Sequence, residues 1–237
     1  METLNTTKVG QLERKTQDRI VALFRERLGY DYLGNFEERE ENNNVEEVYL
    51  RSFLLRSGHS ETLIGKAIEK LKKCTNRPQM SLYDLNKETY SLLRYSAKER
   101  EKLGEHKQDV EFIDWEHPEN NHFAIAEEVT IKGNRTKRPD IVLYVNGIAV
   151  GVIELKRSIV SVSEGIRQNI GNQKEEFIKT FFGTIQLVMA GNDTEGLRYG
   201  TTETPEQHYL SWKETGLGSE SRLDRAILQI CDKKRLL

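Results

Sequence analysis

Over residues 9–28 the apolar positions Val9, Leu12, Ile20, Leu23, Phe24 and Leu28 recur at steps of three and four, and Gly29 follows. That spacing predicts an amphipathic helix with a glycine stop. The polar, turn-prone "EEREENNN" of residues 37–44 predicts an exposed loop. Residues 45–73 carry a helical period broken at 57–60, and a further helical stretch covers Leu82–Tyr95. A helical insertion of about residues 45–102 therefore elaborates whatever core the rest of the chain builds.

After residue 107 the period changes from that of a helix to that of strands. "DVEFIDW", "HFAIAEEVTI", "DIVLYV" and "IAVGVIEL" are rich in β-formers and predict successive strands. In "SVSEGIRQNIGNQKEEFIKTFF", Ser161 and Glu164 fit a capping box opening a helix to about Lys179. Gly165 and Gly171 each weaken that helix by about 1 kcal/mol relative to Ala, which points to close packing there. "TIQLVMAGND" is one more buried strand, and residues 223–237 read as a helix with no obvious partner. Helices and strands in this order predict an α/β fold, a mixed β-sheet flanked by helices.

Composition narrows the setting. The chain has 237 residues, 36% hydrophobic and 31% charged, enough for one large domain or two small ones. Lys and Arg (36) nearly balance Asp and Glu (38), so any site for a polyanion must be local. Cys74 and Cys231 form no CxxC pair, which excludes a disulfide framework or zinc ribbon and suits a reducing cytoplasm. The first residues, "METLNTTKVGQLERKTQDR", lack the apolar core of a signal peptide, and no run reaches the roughly 18 apolar residues of a membrane span. A cytoplasmic protein with no membrane partner is expected. The five histidines lack metal-ligand spacing and read as structural or exposed.

The chemistry sits in "RPDIVLYVNGIAVGVIELKRS", residues 138–158, where Asp140, Glu154 and Lys156 interrupt strands that otherwise read as core. Alternation puts Glu154 and Lys156 on one strand face. Whether Asp140 joins them depends on the turn at Asn146-Gly147. A two-residue type I′ hairpin pairs Asp140 with Ile153, on the face opposite Glu154. A three-residue loop, 145–147, with Gly147 left-handed, pairs it with Val152 and restores the shared face. The expectation is that this second register, or an equivalent bulge, is present. Two carboxylates side by side repel unless a cation lies between them, and hard oxygen ligands with retained waters suit Mg²⁺. Beside them a lysine can orient or deprotonate an attacking water and offset charge on a phosphorane, as phosphodiester hydrolysis requires. Just before Asp140, "KGNRTKRPD" gathers Lys132, Arg135, Lys137 and Arg138, a basic loop fit for phosphate contact. Arg157, and then Arg167 and Lys174, extend it.

These residues resemble the PD-(D/E)xK nuclease pattern, with Pro139-Asp140 followed by Glu154-Leu155-Lys156. The wider wording "EEVTIKGNRTKRPDIVLYVNGIAVGVIELKRS" is similar to the amino-terminal nuclease domain of the restriction (R) subunit of type I restriction enzymes, a likeness that covers roughly residues 9–192. It continues into "AGNDTEGLRYGTTETPEQHYLSWKE", which looks like the segment joining that domain to a motor. The resemblance implies a restriction-endonuclease-like core and a DNA endonuclease, a type I site-specific deoxyribonuclease. Asp140 and Glu154 would bind Mg²⁺ with the Leu155 carbonyl as a further contact, and Lys156 would assist water attack. A Gln-x-x-x-Tyr element often follows in such nucleases. Here Gln168 matches it and Asn172 stands at the tyrosine position. Glu13 is the candidate for the acidic residue that the first helix commonly adds.

The resemblance further implies a nuclease domain over 1–192, with 193–237 a connector and the start of a following motor domain. No GxxxxGK[ST] occurs, since Gly65-Lys66 is followed by Ala67, so ATP belongs to motor domains outside this sequence. Double-stranded DNA and the methylation and specificity subunits are the implied partners. The alternatives are a non-catalytic DNA- or subunit-docking module and a stand-alone PD-(D/E)xK repair nuclease. Intact Asp, Glu and Lys argue against the first, and the segment beyond residue 192 against the second.

Overall fold

The structure, a computed structural model, describes residues 3–213 and 221–237, with side chains from residue 14 onwards. The first helix, α1 (Thr3–Glu26), buries Ile20, Val21 and Phe24 and is followed by Gly29 at φ +65. Strand β1 (Asp31–Asn35) precedes three helices of the insertion, α2 (Glu47–Arg56), α3 (Glu61–Thr75) and α4 (Leu82–Tyr95). The Ser60 and Ser81 side chains cap α3 and α4, accepting from the amides of Leu63 and Asp84. Strands β2 (Ala97–Glu99) and β3 (Gln108–Val110) form a separate antiparallel ribbon.

The remaining elements are β4 (Phe123–Glu127), β5 (Ile141–Val145), β6 (Ile148–Leu155), α5 (Val162–Asn172), β7 (Leu187–Asn192), β8 (Gly196–Gly200), β9 (Leu210–Ser211), α6 (Arg222–Ile230) and α7 (Lys233–Leu236). The sheet runs β1-β4-β5-β6-β7-β8-β9. Pairs β1/β4 and β6/β7 are parallel and the rest antiparallel, so the sheet is mixed as the pattern predicts. The parallel step from β6 to β7 needs a crossover, which α5 supplies.

Alternation along the strands divides the core into two layers. Ile125, Leu143, Ile153 and Met189 pack with Ile20 and Phe24 of α1 and Leu223 and Ile227 of α6. Ala126, Val142, Val152 and Ala190 pack on the other face with Val162 and Ile166 of α5. Charged side chains at the end of β6 thus lie beside one core layer or the other, and parity decides which.

Several sequence expectations change. "DVEFIDW" forms no strand of the main sheet: only Gln108–Val110 is extended, and Phe112 and Ile113 are buried from irregular chain. The helix expected to reach Lys179 stops at Asn172, because the Phe177 carbonyl turns to accept the Asn134 amide at 3.1 Å and a 3-10 turn, Lys179–Gly183, follows. Gly165 is closely packed, as expected, whereas a Cβ at Gly171 would meet open space. The carboxyl-terminal helix does find a partner: Leu223, Ala226, Ile227 and Ile230 join the α1 layer, and Arg19 pairs with Asp224. Beyond Asn192 the chain adds β8, β9, α6 and α7 to the same sheet and core.

Candidate active site

The hairpin β5–β6 builds the site. Asn146 and Gly147 have φ of 50 and 80, and Val145 faces Ile148, so the turn is the two-residue type I′ form and the three-residue loop is absent. Asn146 tolerates the left-handed conformation, and a Cβ at Gly147 would come within 2.4 Å of the Glu46 carbonyl oxygen. A straight ladder from this turn would set Asp140 opposite Ile153. Instead Tyr144 faces Ala149 and Leu143 faces Gly151, leaving Val150 as an extra residue. That β-bulge shifts the register so that Ile141 faces Ile153, and one step further Asp140 stands opposite Glu154.

The bulge has a local cause. Val150 packs in the layer of Leu143, and a Cβ at Gly151 would also lie 3.5 Å from Leu143 Cβ. Both bulge residues therefore face one way, and alternation resumes with Val152 and Glu154 on the α5 side. The shared face comes from the bulge rather than from the loop length.

Asp140 is fixed by backbone on two sides. Its Oδ2 accepts the Leu155 amide at 2.6 Å and its carbonyl accepts the Glu128 amide at 2.9 Å. Glu154 is 1% exposed, and Lys156 Nζ lies 2.7 Å from its Oε1. The Lys156 amide donates to the Gly191 carbonyl at 2.9 Å, tying the end of β6 to β7. Above this pair runs α5: a Cβ at Gly165 would stand 3.1 Å from Ala190 Cβ and 3.4 Å from both Glu154 Cγ and Lys156 Cγ. Only a residue without a side chain lets the helix lie this close.

Gln168 sits one turn beyond Gly165, partly buried, and makes no hydrogen bond to Asp140, Glu154 or Lys156 among the described residues. Asn172, a further turn along, is 1% exposed. The Glu13 side chain lies outside the described residues. Among the described residues no three His, Cys, Asp or Glu side chains converge as a ready cation site. Asp140 and Glu154 supply two carboxylates on one face, with the Leu155 backbone between them, a donor set that fits a hard divalent cation keeping several waters.

The basic loop is contiguous with the site but not uniformly available. Arg138 pairs with Glu37 and, at 2.8 Å, with Glu128. Lys137 Nζ stands 4.0 Å and Arg135 5.8 Å from the Phe177 ring centre. Gly133 seats the loop, since a Cβ there would be 2.1 Å from the Phe177 carbonyl oxygen. Lys132 is exposed, and Arg157 is partly buried without an ion pair among the described residues. Arg167 forms a two-pronged pair with Glu206 at 2.8 and 2.9 Å, and Lys174 lies past the far end of α5, about 14 Å along the helix from Gly165.

One group escaped the sequence reading. Glu127, the last residue of β4, is 4% exposed on the α1 face. Its carboxylate accepts from Arg14 (3.0 Å), Gln17 (3.1 Å), Tyr32 (2.7 Å) and Asn35 (3.5 Å), tying α1 and β1 to the strand beside Asp140. Burial first, and then the bond to Glu127, pushes the Tyr32 hydroxyl up to about 12. The signal was present in "FAIAEE", an acid closing an apolar run.

The chain matches the family model of the type I restriction enzyme R protein N terminus over residues 10–207 and belongs to that family. Curated relatives are named as endonuclease subunits of type I restriction enzymes. The endonuclease subunit of type I restriction enzyme SsaAORF53P from Staphylococcus saprophyticus is 27% identical over 107 residues, 44% of this chain and 11% of that protein. The putative MjaVIIIP endonuclease subunit from Methanocaldococcus jannaschii is 28% identical over 130 residues, 54% of this chain and 12% of that protein. The HindI endonuclease subunit from Haemophilus influenzae is 27% identical over 149 residues, 60% of this chain and 14% of that protein. The aligned stretches thus cover only a small share of these relatives. No described helix is long and apolar enough to cross a membrane.

Proposed function

We propose that this chain is the DNA-cleaving amino-terminal part of a type I restriction enzyme R subunit, with a PD-(D/E)xK core and Asp140, Glu154 and Lys156 as its catalytic residues. The observation that carries this reading is the bulge at Val150, which brings Asp140 opposite Glu154 in a chain of this family.

Asp140, Glu154 and the Leu155 carbonyl would hold Mg²⁺, which when bound supplies positive charge at the scissile phosphate and favours water as nucleophile. Lys156, 2.7 Å from Glu154 Oε1, orients the attacking water and offsets charge growing on the phosphorane oxygens. Gln168, one turn along α5, positions that water or the phosphate, and Glu13 adds a carboxylate from α1. Lys132, Arg135, Lys137, Arg138 and Arg157 contact the DNA backbone, Arg138 by exchanging Glu37 and Glu128 for phosphate. ATP-driven translocation belongs to motor domains of the subunit beyond this sequence, towards which residues 193–237 lead. The methylation and specificity subunits are the remaining partners, in the cytoplasm.

The test is Mg²⁺-dependent cleavage by the assembled restriction enzyme carrying Asp140→Ala or Lys156→Ala. Loss on the order of 10²-fold or more, with DNA binding kept, is expected. Cleavage at the wild-type rate in both variants removes the catalytic reading.

A further inference from the structure

Helix α4 has two unlike faces. Leu82, Leu85, Thr89 and Leu93 are buried against the body of the protein. On the outer side Tyr83, Lys87, Tyr90 and Arg94 follow at steps of four, three and four, which sets them in one stripe along the helix. Tyr83 is 61% and Tyr90 44% exposed. Lys87 Nζ stands 5.9 Å from the Tyr83 ring centre, and the Arg94 guanidinium lies 5.1 Å from that of Trp115. Rings and cations thus alternate on an open surface.

Elsewhere in the insertion the cations are neutralised: Lys70 pairs with Glu99, Lys73 with Glu69, Arg77 with Glu88 and Lys98 with Asp109. The stripe itself carries no carboxylate, since Asp84 and Glu88 lie about 100° round the helix from Tyr83 and Lys87. At Tyr90 it enters a groove of about 350 Å³ lined also by Trp115, Tyr199, Trp212 and Arg235 and, among the described residues, by no Asp or Glu. Arg235 lies 5.9 Å from the Trp212 ring centre, so the alternation continues inside. The whole chain is nearly neutral, and this surface is a local exception that suits a polyanion.

The rings narrow the choice of polyanion. Flat aromatic faces stack on unpaired bases, whose faces a duplex keeps within its own stack, while cations between the rings meet the phosphates. From Tyr83 to Arg94 the stripe is about 16 Å long, the rise of about five stacked nucleotides.

We propose that the outer stripe of α4 and the groove it enters bind single-stranded DNA, bases on Tyr83, Tyr90 and the groove's tryptophans, phosphates on Lys87 and Arg94. The choice of DNA rests on the nuclease reading above. Val150 in the groove packs on the α1 side of the sheet, opposite Glu154, so the strand held here is a different stretch from the one being cut.

The experiment measures binding of the full 237-residue chain to a short oligothymidylate, without divalent cations, across a salt series. Lys87→Ala combined with Arg94→Ala is expected to lower the slope of log K against log salt by about 1.4, two phosphates at about 0.7 each. Tyr90→Ala is expected to weaken binding at least about fivefold with the slope unchanged, and Tyr90→Phe to keep wild-type affinity. All three positions are exposed, so melting temperatures should stay near that of the wild type. Binding through the basic loop before Asp140 alone would leave both alanine variants like the wild type, and that result overturns the proposal. A wild type that binds no single strand at low salt overturns it too. So does a Tyr90→Ala protein that binds the strand normally but no longer associates with the rest of its subunit, which would make the groove a protein interface. Cleavage by the assembled enzyme separates the two readings: if Asp140→Ala abolishes cleavage while the α4 variants bind normally, only the α4 assignment falls; if Asp140→Ala cleaves normally, the nuclease reading falls.

Discussion

The Leu155 amide donates to Asp140 Oδ2 at 2.6 Å, so a carboxylate takes the place that a strand carbonyl would fill had β5 begun earlier. The bond fixes Asp140 against the end of β6, one residue from Glu154, and costs no backbone group its partner. It depends on the register, and the register depends on Val150.

Deleting Val150 is therefore expected to keep the site. Without it the ladder runs straight from the turn, still with Leu143 opposite Gly151 and Asp140 opposite Glu154. The loss is the burial of one valine, about 1.5–3 kcal/mol, and the bond from the Gln186 amide to the Val150 carbonyl, about 1 kcal/mol. Urea denaturation should show that drop while cleavage stays within about tenfold. A folded deletion variant cleaving more than a hundredfold slower would mean the bulge does more than set parity.

The glycines of α5 should respond in opposite directions. At Gly171 an added Cβ meets open space, so Gly171→Ala is expected to stabilise by about 0.5–1 kcal/mol with cleavage unchanged. Gly165→Val would press on Ala190, Glu154 and Lys156 at 3.1 to 3.4 Å from its Cβ alone, costing about 1–3 kcal/mol and slowing cleavage by displacing the pair. Melting temperatures and cleavage rates of the two variants, measured side by side, decide it.

Much of this was legible in the sequence, and what was not has identifiable causes. Helix α4 matches its reading at both ends because its apolar spacing and its Ser81 cap are local. The parity of Asp140 was not decidable locally: the turn residues specify a two-residue hairpin, and the correction comes from packing of Val150 and Gly151 against Leu143. Strand β1 was missed because "DYLGN" carries no alternation and is extended only through pairing with β4, some ninety residues on. The pairing of Arg138, placed by its sequence in a basic loop, was not legible because Glu37, one of its two carboxylate partners, comes from a distant loop. Residues 223–237 lacked a partner on paper because α1, which packs with them, lies at the other end of the chain.

Alkaline unfolding should report the tyrosines. Tyr32 and Tyr209 both have hydroxyls pushed up to about 12, each by burial first, with Glu127 adding to Tyr32. In the unfolded chain a tyrosine ionises near 10. Between those values the unfolded state sheds protons that the folded state keeps, so stability is full below pH 10 and falls as pH rises towards 12. Urea midpoints between pH 9 and 12 should trace this fall. Tyr32→Phe and Tyr209→Phe should each make it shallower, and a fall equally steep in both variants would assign it elsewhere.

A divalent cation bound between Asp140 and Glu154 should change the stability of the fold. Lys156 holds its ammonium 2.7 Å from a carboxylate on a residue 1% exposed, while its own side chain keeps 14% of its surface open. Truncating Lys156 to alanine removes a charge-assisted bond at such a site, worth on the order of 1.5–3 kcal/mol. A divalent cation held by Asp140 and Glu154 would bind the folded chain alone, adding about 2.7 kcal/mol at a concentration one hundred times its Kd. Lys156→Ala is therefore expected to be less stable than the wild type in EDTA and to gain at least as much from Mg²⁺, since the cation then offsets the same carboxylate. Asp140→Asn should gain far less, having lost one of the two anionic ligands. Melting curves of the three proteins with EDTA and with Mg²⁺ read this without any cleavage. An equal Mg²⁺ response in wild type and Asp140→Asn would place the cation, if one binds, away from this pair.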